Sequence, residues 1–142
     1  MDVSVRLQGV PSDAVYFVPI DYLTSVTLEL FSHPCSGKTY HLTGDSPVST
    51  DAISNAIAKT LKINSLTVVD FIDKMTMDEK LIHRFIGEFI PYFGARARFD
   101  VSNIVEIFGR ESVEWHVKGD NLTQMIGSYY RENFPELTDA IV

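Results

Sequence analysis

Val15-Tyr16-Phe17-Val18-Pro19-Ile20-Asp21-Tyr22-Leu23-Thr24-Ser25-Val26-Thr27-Leu28-Glu29-Leu30 is the stretch whose reading decides the fold. It opens on a short apolar run, the pattern of a strand buried on both faces. Pro19 has no N–H to give to a ladder, so the strand is expected to end there. Asp21 then stands where a helix N-cap belongs, its carboxylate placed to accept an orphan N–H of the first turn. From Tyr22 onward the period becomes helical, with Leu23, Val26, Leu28, Leu30 and Phe31 on one broad side. A strand running straight into a helix is half of a βαβ unit, and a parallel strand should follow. Residues 38–42, KTYHL, are the expected partner.

Ahead of this stretch, Val3, Val5 and Leu7 alternate with Ser4, Arg6 and Gln8, the period of a half-buried extended segment. Gly9-Val10-Pro11-Ser12-Asp13 breaks it. Beyond the central stretch, His33-Pro34-Cys35-Ser36-Gly37 reads as a loop, and Thr43-Gly44-Asp45-Ser46-Pro47 is dense with turn formers. A second helix should begin at Ser49 or Thr50, both competent caps. It repeats Ala52, Ile53, Ala56, Ile57 and Leu61 at intervals of three and four, and Asn64-Ser65 closes it. Leu66-Thr67-Val68-Val69-Asp70-Phe71 is rich in β-branched residues and reads as a third strand.

Thr76-x-x-Glu79 is a capping box that announces the longest helix, with Leu81, Ile82, Phe85, Ile86, Phe89 and Ile90 as its apolar set. Pro91 ends or kinks that helix and Gly94 suits a left-handed cap. After the basic island Arg96-Ala97-Arg98, Asp100 or Ser102 caps a short helix that runs through Phe108 and stops at Gly109. A last helix, from about Asn121 to Phe134, presents Leu122, Met125, Ile126, Tyr129, Tyr130 and Phe134 before Pro135. The expectation is one α/β domain over residues 1–142. It has a small sheet of about three strands, at least two of them parallel, and about five helices.

The 142 residues are enough to bury a core, and 19 acidic against 12 basic side chains give a net charge of −7. That charge opposes attraction to phosphate backbones, so no nucleic-acid partner is expected. No apolar run is long enough to span a bilayer and no signal-peptide pattern opens the chain, so the expected location is the cytoplasm. Cys35 is the single cysteine and has no partner for an internal disulfide.

Phe17-Val18-Pro19-Ile20-Asp21-Tyr22, then Gly37-Lys38-Thr39-Tyr40-His41-Leu42, then Phe99-Asp100-Val101-Ser102-Asn103 resemble, in order and spacing, the C-terminal part of extended short-chain dehydrogenase/reductases. Within that superfamily they are most similar to the fatty acyl and thioester reductase branch, the male-sterility type, and more loosely to the NAD-dependent epimerase/dehydratases. The resemblance covers the chain from about Val15 to the final helix. It implies a Rossmann-type oxidoreductase whose N-terminal half binds NADP or NAD, while the part present here caps the active site and shapes the substrate pocket. The implied substrate is an acyl group on coenzyme A or a carrier protein in the reductase branch, and a nucleotide sugar in the epimerase branch.

The chain departs from that pattern twice. It has no G-x-G-x-x-G or G-x-x-G-x-x-G, the turn that lets backbone approach a pyrophosphate at a helix N-terminus. None of Tyr16, Tyr22, Tyr40, Tyr92, Tyr129 and Tyr130 has a lysine four residues on, the pair the superfamily uses for proton transfer. The expectation is therefore a fragment without the cofactor-binding half, not catalytic by itself and holding no cofactor. Its partners would be the missing Rossmann half and the acyl-thioester or other small-molecule substrate. Such a fragment leaves uncovered the apolar surface and strand edge that the other half covers, so the isolated chain should self-associate through the side carrying residues 15–20 or 38–42. The rival reading is a self-sufficient, cofactor-free binding module on the same scaffold.

The candidate substrate-binding residues are Phe85, Phe89, Tyr92, Phe93, Arg96 and Arg98. The aromatic stripe is wider than one packing face of a small domain requires, and a long acyl chain needs an apolar wall. Core packing is the plainer account of the same stripe. Arg96 and Arg98 have the chemistry to grip a phosphate or carboxylate, and a solvated loop in an acidic chain is the plainer account of them. Asp21, Asp100 and Asn103 read as helix-opening residues rather than acid–base groups. His33, His41, His83 and His116 show no metal-ligand spacing, and no G-x-S-x-G elbow is present.

Overall fold

The computed structural model describes residues 4–34, 37–86, 97–133 and 135, with the side chains of Phe85 and Ile86 outside the description. Among the described residues it is an α/β protein with five α-helices and short strands, in the order β1 (Ser4–Gln8), β2 (Ala14–Val15), α1 (Ile20–Leu30), β3 (Val48–Ser49), α2 (Thr50–Leu61), β4 (Ser65–Val69), α3 (Met77–Ile86), α4 (Ser102–Phe108) and α5 (Gly119–Asn133). A 3₁₀ turn, Arg110–Val113, follows α4. The chain groups into two compact units, one of residues 1–14, 48–96 and 117–142, the other of residues 15–47 and 97–116.

In the first unit the parallel pair is β1 with β4, Val5 opposite Leu66 and Leu7 opposite Val68. The alternation around Val5 and Leu7 turns those two side chains inward with Leu66, and Ile57, Ala58, Ile63 and Ile82 pack over them. β2 and β3, two residues each, form a second small sheet. Ser49 caps α2, its hydroxyl accepting from Ala52 N–H at 3.1 Å, and Lys62 ends that helix in the left-handed region (φ 49°). Thr50 ties the preceding loop to the same helix end. Its hydroxyl donates to the Val10 and Pro11 carbonyls, and its N–H donates to the Asp13 carbonyl.

The capping box forms as expected, with Thr76 N–H donating to Glu79 Oε2 at 2.8 Å and Glu79 N–H to Thr76 Oγ1 at 3.2 Å. Its carboxylate does more than cap. Arg6 sits on the edge of β1 away from β4, and Glu79 accepts from its backbone N–H at 3.2 Å and from its guanidinium at 2.7 and 2.9 Å. His83 Nε2–H donates to the Arg6 carbonyl at 3.3 Å. One turn of α3 therefore seals an edge that would otherwise show unpaired backbone groups. The expected continuation of this helix to Pro91 and Gly94 lies outside the described residues.

In the second unit Val26 of α1, Val101, Ile104 of α4 and Val113 form the core, with Tyr22, Leu30, Tyr40, Leu42, Val105 and Phe108 against it. Three expectations are corrected here. Only Val15 of the opening run is in a strand, the two-residue β2 it shares with Ala14, and residues 16–19 lead to α1 without a ladder. The Trp115 indole N–H donates to the Phe17 carbonyl at 3.1 Å, taking the acceptor that a neighbouring strand would take. Residues 38–42 are likewise not a strand, so the βαβ pairing across α1 does not form. Asn103 of α4 holds that segment instead, its side-chain amide donating to the Thr39 carbonyl at 2.8 Å. The helix also starts two residues earlier than Asp21 as N-cap predicts. Pro19 is the N-cap position (φ −62°, ψ 133°), and Asp21 falls in the first turn, where its negative charge suits the helix dipole.

Candidate functional site

The concave surface of the first unit lies between α2 and α5. The helices meet where Thr60 Oγ1 donates to the Thr123 carbonyl at 3.5 Å, and a methyl group at Gly127 would stand 3.7 Å from Thr60 Cγ2. Beside that contact, Ile57 and Leu61 of α2 with Met125, Ile126, Tyr129 and Tyr130 of α5 line an open groove of about 410 Å³ with almost wholly apolar walls. Its size is in the range of small-molecule sites. Met125 and Tyr129 remain 51 % and 62 % exposed, so the walls face solvent rather than fill a core. Each helix's apolar stripe is legible in the sequence. That the two stripes face one groove is not, because pairing of α2 with α5 joins residues more than sixty positions apart.

Most of the residues predicted to bind substrate lie outside the described residues. Phe89, Tyr92, Phe93 and Arg96 lie outside the described residues, and Phe85 is described only as backbone within α3. Arg98 is exposed and its guanidinium donates to the neighbouring Ala97 carbonyl at 3.2 Å, a local contact. Neither Asp100 nor Ser102 is the N-cap of α4, a position taken by Val101; Asp100 stands one residue before it, where its Oδ1 accepts from Ser102 N–H at 2.9 Å, and that bond holds its carboxyl below the usual range.

The histidines are structural where they are bonded. His33 donates to the Glu29 carbonyl, His41 to the Asp100 carbonyl and His83 to the Arg6 carbonyl. Among the described residues no group of three His, Cys, Asp or Glu side chains could hold a metal ion, and no helix is long and apolar enough to cross a membrane. Cys35 lies outside the described residues.

A second surface stands out in the other unit. α1 buries Val26 and packs Tyr22 and Leu30 on the core, yet Ile20 is 75 %, Leu28 65 % and the following Phe31 84 % exposed. At roughly 100° per residue these three share an arc of about 80° on the side away from Val26. Thr24, also exposed, lies within the same arc.

No family model, curated protein or solved structure matches the chain.

Ring stacking and buried hydroxyls complete the chemistry of this unit. Tyr16 meets the edge of Phe99 at 5.0 Å, and Phe99 lies 5.4 Å from the His41 ring. Tyr22 packs on Trp115 at 4.3 Å, and burial raises its phenol above the ordinary value.

Proposed function

We propose that this chain is the substrate-binding and capping part of an NAD(P)-dependent oxidoreductase of the extended short-chain dehydrogenase/reductase type, acting on an acyl thioester. The observation that carries the reading is the apolar outer side of α1. That helix begins within Phe17-Val18-Pro19-Ile20-Asp21-Tyr22, one of the three stretches that bear the resemblance, and with the following Phe31 it presents Ile20 and Leu28 to solvent. In the proposed whole enzyme the cofactor-binding half covers this side. The chain's own residues do not fit a nicotinamide dinucleotide, having neither the glycine-rich turn nor the tyrosine–lysine pair, so the cofactor belongs to that other half.

The α2–α5 groove favours an acyl substrate over a nucleotide sugar. Its walls are hydrocarbon and aromatic, whereas a sugar site needs several convergent polar groups. Calorimetric titration of the chain with palmitoyl-coenzyme A tests the substrate. Binding should be saturable and should be lost on Ile126→Asp with the circular dichroism spectrum unchanged. Titration with NADP and NAD should show no binding. A tight dinucleotide complex would overturn the division of labour, and an unaffected Ile126→Asp variant would remove the groove from the site. The class is tested independently by the reading frame upstream of Met1, which should encode the glycine-rich turn and Tyr-x-x-x-Lys. An upstream frame without them would sink the oxidoreductase reading.

A further inference from the structure

We draw no further inference here: the strongest candidate, the apolar groove between α2 and α5, belongs to the site already described, and nothing in the structure shows a second occupant for it.

Discussion

Glu79 is 2 % exposed and accepts four hydrogen bonds, three from Arg6 and one from Thr76 N–H. The Arg6 guanidinium is the largest influence and Thr76 the next. Together they overcome the burial penalty and bring the carboxyl from its ordinary 4.5 down to about 2. The sign of the pH dependence follows. A carboxyl that binds its proton less readily in the folded chain adds stability above its unfolded value and loses it as pH falls. Wild type should therefore be more stable than Glu79→Gln at neutral pH, and the gap should narrow from about pH 4.5 toward pH 2. Thermal melts of the two proteins across that range measure it; a gap that stays constant would remove the ion pair as its source.

Gly44 is constrained for a different reason. A methyl group there would stand 2.9 Å from Trp115 Cε2 and 3.1 Å from Cζ2 and Nε1, inside contact distance of a rigid ring. The ring cannot swing clear without disturbing its stack on Tyr22 and its bond to the Phe17 carbonyl. Gly44→Ala should cost about 1–3 kcal/mol, the usual range for overpacking. Trp115 is the chain's only tryptophan, so a change in intrinsic fluorescence alongside the lowered melting temperature would locate the damage.

At the scale of elements, caps were the most readable features, because a cap is a contract between residues two or three apart. Thr76 with Glu79 and Ser49 with Ala52 form as the sequence spacing directs, whereas the N-cap position of α4 falls on Val101, between the two expected candidates Asp100 and Ser102. Ser49→Ala should cost about 1 kcal/mol by orphaning the Ala52 N–H. Urea titration followed by circular dichroism checks it, and no loss would mean that water replaces the hydroxyl. Strands were less readable, since strand propensity reflects fit to a neighbour more than backbone preference. β4 is recognisable from its β-branched run, whereas residues 38–42, expected as the parallel partner of the opening run, are not a strand. What separates them is the opposite bank: Ser65–Val69 lies along β1, whereas Thr39 meets an asparagine side chain. The groove was unreadable for the same reason, being a property of two helices and not of either one.

At the scale of the molecule, the exposed arc of α1 bears on association. Ile20, Leu28 and Phe31 lie exposed on one side of a helix whose other side is already buried, with Thr24 between Ile20 and Leu28. Two copies can cover each other's arcs, so light scattering of the isolated chain should show a dimer or larger species. Leu28→Glu/Phe31→Glu should return it to a monomer without loss of helix content, both positions being exposed. Salt separates this contact from an ionic one. Each copy carries −7, and Asp21 and Glu29 lie exposed on the same helix, so the charges repel while the apolar contact attracts. Added salt screens the repulsion and leaves the apolar gain intact, so association should strengthen from low to physiological ionic strength. Weakening with salt would mean that ion pairs hold the copies together. A clean monomer at every ionic strength would mean that α1 needs no cover, and the case for a second half resting on that helix would fall.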